Sequence, residues 1–138
     1  MLKILTGLLL VTCFFSCTHE SQTPGCEAQA CTEVFVTFGI HYTDNAGNPI
    51  AIKNFSAVNQ RTHLAMTQPN PQNSMLVLGY YVVANDSMKE QLSTDGDDIM
   101  VSATNPTTNQ TKTVIVKLAG GCNCHVTKKS GPEAVAFD

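Results

Sequence analysis

Residues 34–42 read Val34-Phe35-Val36-Thr37-Phe38-Gly39-Ile40-His41-Tyr42. Val34, Val36, Phe38, Ile40 and Tyr42 alternate with Phe35, Thr37, Gly39 and His41. Period two over nine residues marks a strand with one face in a core and the other nearer solvent. The turn chemistry of Asp44-Asn45-Ala46-Gly47-Asn48-Pro49 follows, and Ile50 to Val58 reads as a second strand. Gln60 to Ser74 is polar, contains Pro69 and Pro71, and reads as a long loop. Met75 to Ala84 (MLVLGYYVVA) is a nearly unbroken apolar run, predicted as one central strand. One helical turn is expected around Met88-Lys89-Glu90. Ile99 to Ala103 and Thr111 to Leu118 are strands joined by a hairpin turn at Asn105–Asn109. Cys122 to Lys128 and Ala134 to Phe137 complete the set. About seven short strands with Gly, Pro and Asn turns predict an all-β antiparallel sandwich, Ig-like or transthyretin-like.

Composition agrees with one folded domain. Of 138 residues, 43% are hydrophobic and only 14% charged, which excludes wholesale disorder. The net charge is −3, from 8 Lys+Arg against 11 Asp+Glu, and no basic stripe occurs, so nucleic acid is not an expected partner.

The first sixteen residues differ in kind. Lys3 precedes an apolar run of 12 residues from Ile4 to Phe15, the length of a secretion-signal core and short of the roughly 20 needed to span a bilayer. Phe14-Phe15-Ser16-Cys17 resembles a bacterial lipobox. Cys13 is a competing site, but Thr12 suits the residue before the cut less well. The resemblance implies a diacylglycerol on the Cys17 thiol, cleavage before Cys17 and a fatty acid such as palmitate on the new N-terminus. Several acyl chains anchor stably where one anchors marginally. The domain plan is therefore a signal peptide over 1–16, a tether over 17–25 and a sandwich over 26–138. The expected location is the outer membrane of the cell envelope, lipid-anchored, on the periplasmic side or the cell surface. Removing residues 1–16 leaves 7 Lys+Arg against 11 Asp+Glu, so the charge gives no attraction to an anionic membrane surface.

Tyr42 to Ile50 resembles the first hairpin of carboxypeptidase-regulatory-like, transthyretin-type domains. The tail from Cys124-His125-Val126 through Gly131-Pro132-Glu133 is similar to the ending of small Bacteroidota lipoproteins with such a sandwich. These resemblances imply a non-catalytic adhesion, scaffold or ligand-contact module and no specific ligand; the expected partner is a protein or glycan. Asp86-Ser87-Met88 resembles the short O-glycosylation signal of the same bacteria, which would place a glycan on Ser87.

Four cysteines remain beyond Cys13 and Cys17: Cys26, Cys31, Cys122 and Cys124. An exported compartment permits disulfides. Pairing Cys122 with Cys124 on a strand would stretch the geometry, with Cα atoms roughly 6.5–7 Å apart. Two pairings stay open: Cys26 with Cys122 and Cys31 with Cys124, or Cys26 with Cys124 and Cys31 with Cys122. A bridge closing nearly 100 residues would contribute about 4–5 kcal/mol by constraining the unfolded chain. The alternative use of these residues is a Zn²⁺ site built from Cys26, Cys31, Cys122, Cys124 and His125, although neither C-x4-C nor C-x-C is a tight zinc spacing.

No catalytic motif is present, so no enzyme activity and no cofactor are expected. Of the four histidines, His19 falls in the tether, His41 on the more polar face of the first strand and His63 in the loop. Asp95-Gly96-Asp97-Asp98 and Asp44–Asn48 are oxygen-rich turns that do not match a calcium loop. Of Tyr80 and Tyr81, adjacent on a strand, one is expected to face the core. The Gln60–Ser74 loop is the candidate partner contact, because long loops on small sandwiches are often functional.

Overall fold

A computed structural model describes residues 25–66 and 75–138. Residues 1–24, on which the expected signal peptide, lipidated Cys17 and nearly all of the expected tether fall, and residues 67–74 of the expected loop lie outside the described residues. Eight strands are described: β1 (Thr37–Thr43), β2 (Lys53–Asn59), β3 (Met75–Val77), β4 (Tyr80–Asn85), β5 (Asp97–Thr104), β6 (Thr111–Ala119), β7 (Thr127–Ser130) and β8 (Ala134–Ala136). One 3-10 helix, Asp86–Gln91, lies between β4 and β5. The strands form two four-stranded sheets, ordered β3-β4-β1-β8 and β2-β5-β6-β7. The all-β sandwich is as expected. Its pairing is antiparallel except at β1 and β8, which run parallel with His41 opposite Ala134.

The alternation in residues 34–42 holds only in its second half. Ile40 and Tyr42 are buried and His41 is exposed. The strand starts at Thr37, and Val34 and Phe35 are each 63% exposed. Val36 bonds Asp86 instead of a neighbouring strand, its N–H going to the Asp86 carboxylate and its carbonyl accepting the Asp86 N–H. A bulge between Phe38 and Gly39 shifts the pairing with β4. Gly39 has no room for a side chain there: a Cβ would sit 2.5 Å from the Tyr81 carbonyl oxygen and 2.7 Å from the Tyr80 ring.

The apolar run 75–84 is a hairpin and not one strand. Leu78-Gly79 turns between β3 and β4, and Gly79 takes φ +80°, a conformation that L side chains rarely adopt. The lone glycine in the run was the available signal. The predicted strand at 122–128 is also displaced. Residues 121–125 form turns and bends docked under the 3-10 helix, with Gly121 N–H on the Lys89 carbonyl, and β7 begins only at Thr127. The Asn105–Asn109 turn and the helical turn at 88–90 occur where expected. Asn85 caps the helix by accepting the Ser87 N–H.

The core lies between the sheets. Ile40, Tyr42, Tyr81 and Val83 from one meet Ile99, Val101, Val116 and Leu118 from the other, with Met88 and Phe137 also buried. Each large aliphatic or aromatic side chain so buried contributes roughly 1.5–3 kcal/mol relative to exposure. Tyr42 packs its ring 5.7 Å from Tyr81 and 6.0 Å from Phe137. Its hydroxyl is buried with no hydrogen-bond partner among the described residues, and burial followed by the neighbouring Tyr81 pushes its pKa up. An unmatched buried hydroxyl costs about 1–3 kcal/mol. Tyr42→Phe is therefore expected to raise the unfolding free energy by about 1 kcal/mol. The check is a urea midpoint that moves up at unchanged slope; a lower midpoint would mean that the hydroxyl is satisfied in the folded protein.

Candidate functional site

The sandwich has two distinct ends. At one, β1 and β7 begin, β2 and β6 finish, and the 3-10 helix sits. The segment Gly25–Val36 lies across this end as a strap. Residues 27–35 are all exposed, so no side chain among them contributes to the core. Two disulfides hold it down, Cys26–Cys122 and Cys31–Cys124, each with a Cα–Cα distance of 5.3 Å. This settles the connectivity left open above. Gln29 adds a side-chain bond to the Cys122 carbonyl.

A hydrogen-bonded chain runs beside the second bridge. Thr32 Oγ1 lies 2.9 Å from His125 Nε2, and His125 Nδ1 lies 2.7 Å from Asp86 Oδ2. An ionised carboxylate can only accept, so Nδ1 carries a proton; in the neutral imidazole Nε2 then accepts from the threonine hydroxyl, and in the imidazolium it donates to it. Asp86 also accepts the Val36 N–H at 2.8 Å and the Val126 N–H at 2.7 Å. Burial pushes its carboxyl pKa up, but these two N–H bonds and the imidazole outweigh that and hold it below the ordinary value. The arrangement joins three segments far apart in sequence. Its order, hydroxyl to imidazole to carboxylate, is also that of a nucleophile relay, but the threonine stands on the exposed strap.

The alternative zinc set is not assembled. All four thiols are oxidised in pairs, both His125 nitrogens are engaged, and the described residues hold no metal-binding group of three or more His, Cys, Asp or Glu. Nor do the carboxylates of Asp95–Asp98 converge on a common point. Asp97 is buried and takes Arg61 on both oxygens at 2.7 and 2.8 Å, Asn59 Nδ2 at 2.7 Å and Ser93 Oγ at 2.8 Å, whereas Asp98 faces outward on β5. Arg61 holds the Asp97 carboxyl well below the ordinary range. Asp44 closes its own turn, accepting from Ala46 N–H and Asn48 N–H. Ser87 is exposed on the 3-10 helix, with its hydroxyl on Asn85 Oδ1. Tyr81 faces the core and its hydroxyl takes the Ile52 N–H, while Tyr80 lies on the outer face 4.6 Å from the His41 ring.

The loop expected over Gln60–Ser74 is shorter than it reads. Its described part folds straight back on β2, with Ala65 bridged to Val58 and Met66 N–H on the Ala57 carbonyl. His63 occupies the left-handed region here, at φ 59°. A groove of about 450 Å³ lined by Asn59, Arg61, Leu64 and Glu90 adjoins it, at the same end as the strap.

The opposite end carries a larger cleft, which sequence reasoning did not find. The β1–β2, β3–β4 and β5–β6 turns converge there with the residues after β8. Asp44, Pro49, Leu78, Asn105, Thr107 and Asp138 line a cavity of about 500 Å³, and buried Phe137 borders it. Leu78 is 56% exposed at its rim. Asn105 shapes one wall by accepting the Thr107 and Thr108 N–H groups. The available sequence signals were turn residues, and only the strand order brings those turns together.

No protein-family model matches the chain, nor does any curated protein or solved structure.

Asp86 and Asp97 both have folded pKa values below the unfolded value of about 3.9. Their contribution is complete above that value and is lost as pH falls below it. The urea midpoint is expected to stay level from about pH 7 to 5 and to fall between about pH 4 and 2. Asp97→Ala, which removes the shared acceptor of Arg61, Asn59 Nδ2 and Ser93, should cost about 2 kcal/mol at pH 7 and flatten part of that acid limb.

Proposed function

We propose that this chain is a lipid-anchored β-sandwich module of the cell envelope that acts by position and contact. The observation that carries the reading is the opposition of the two ends. The chain enters the domain at Gly25, beside Cys122, and the four-segment cleft lies at the far end. An anchor at Cys17 would hold the domain by its strapped end and turn the cleft away from the membrane. Lys3, the apolar run to Phe15 and Ser16-Cys17 supply the sequence side of the argument. Among the described residues no helix is long and apolar enough to cross a membrane.

The cleft chemistry suits a partner with both polar and apolar groups. Carboxylates (Asp44, Asp138), an amide (Asn105) and a hydroxyl (Thr107) stand beside Pro49 and Leu78. This fits the expected protein or glycan partner. It also moves the expected contact from the 60–74 loop to the opposite end.

Fractionation and intact mass test the anchor. The wild-type chain is expected in the membrane fraction, beginning at Cys17 and carrying diacylglycerol and a fatty acid. Cys17→Ser is expected in the soluble fraction with no lipid mass. Wild-type protein that is soluble and lipid-free would end the reading. A Leu78→Asp variant should keep its stability within about 0.5 kcal/mol. It should also lose in-cell photo-crosslinks made from a probe at Thr107.

A further inference from the structure

The two disulfides restrain the strap and leave the sandwich core untouched. Cys26 and Cys31 lie in a segment with no strand and no core residue, and the core cluster begins only beyond it, with Phe38 packed against it and Ile40 within it. Cys122 and Cys124 lie in the surface turn after β6. Cys31 is exposed and the other three are half-buried, within reach of a thiol reagent. Apart from the bridges, the described holds on residues 25–35 are two side-chain contacts, Gln29 to the Cys122 carbonyl and Thr32 to His125. Val36 differs, because two hydrogen bonds with Asp86 fix its backbone.

We infer that the strap is a redox-releasable extension of the tether, hinged at Val36. A protein or small-molecule dithiol reduces each bridge by exchange. It delivers two electrons and two protons per bridge, closes to its own disulfide, and leaves Cys26, Cys31, Cys122 and Cys124 as thiols. Residues 25–35 then leave the surface while both sheets stay folded. With the bridges closed, the chain between residue 17 and Gly25 spans at most about 28 Å; with them open, the span to Val36 reaches about 65 Å. On the anchored reading this roughly doubles the maximum span of the tether and lets the cleft stand up to about 37 Å farther from the membrane. The release itself does not depend on that reading, because it is measured on the isolated chain.

Glu27 and Glu33 stand on the strap and supply the assay, since a glutamyl endopeptidase cuts after either one. The full purified chain is compared oxidised and after dithiothreitol. Cleavage after Glu33 is expected to accelerate at least tenfold on reduction, while the β5 and β6 amides remain protected from hydrogen exchange. Thr32→Val, kept oxidised, is expected to change cleavage less than twofold. Loss of β5 and β6 protection on reduction would overturn the inference, because the bridges would then be staples of the fold. Unchanged cleavage on reduction, or release by Thr32→Val alone, would overturn it as well, because the strap would then be held without the bridges. Lipid mass on the wild-type chain separately decides whether the released strap lengthens a membrane tether.

Discussion

Ile40 and Tyr42 must be dry while His41, between them, faces water, and the rest of the sandwich is placed by that alternation on β1. The dry side needs a second layer, which β5 and β6 provide through Ile99, Val101, Val116 and Leu118. The edges of β1 need hydrogen-bond partners, which β4 supplies on one side and β8 on the other. Buried backbone groups cannot go unpaired without cost, so β8 has to return to β1 from far along the chain. Once these strands are set, the turns that join them gather at two ends, and the cleft and the strapped surface are consequences of strand order.

At the strapped end covalent bonds do what burial does elsewhere. Ordering one residue costs about 1–2 kcal/mol of backbone entropy, so the eleven strap residues 25–35 need more than a few surface hydrogen bonds to stay in place. A cross-link over nearly 100 residues constrains the unfolded chain by about 4–5 kcal/mol. That gain is offset by the order it imposes on the strap. The stability contribution expected from the cysteine spacing alone therefore reaches the core only in part. Asp86 provides the non-covalent counterpart: one carboxylate connects the end of the strap, the turn before β7 and the imbedded face of His125.

Much of this was legible in residues. The second half of the 34–42 alternation, the Asn105 turn and the apolar runs of β5 and β6 each have a strong local signal, and each lies where it was read. The all-β architecture follows from them. The misreadings share a cause. Val34 alternates correctly but finds no neighbouring strand, the 75–84 run hides a left-handed glycine, and the Cys122–Lys128 stretch is bent by Gly120-Gly121 and its docking on the helix. Local pattern reports what a segment could do, and tertiary partners decide whether it does so. The candidate sites were harder still. Cysteine spacing pointed to two bridges between the ends of the domain but left their pairing open, and it gave no sign that Thr32, Asp86 and His125 meet, because nothing at 93 residues' separation is periodic. The cleft was invisible for the same reason.

The parallel pairing of β1 with β8 has a kinetic consequence. His41 opposite Ala134 closes a chain segment as long as the one closed by the second disulfide, which spans a sequence separation of 93. Contacts this distant make folding slow, in the millisecond-to-second range typical of β-sandwiches. Once β8 has docked, however, Cys31 and Cys124 are tied to one folded sandwich, and joining them closes only the short strap before Val36. Oxidation of the folded chain therefore has a far smaller loop to close than oxidation of the unfolded one. Of the three ways to pair four thiols, the structure holds one, Cys26 with Cys122 and Cys31 with Cys124.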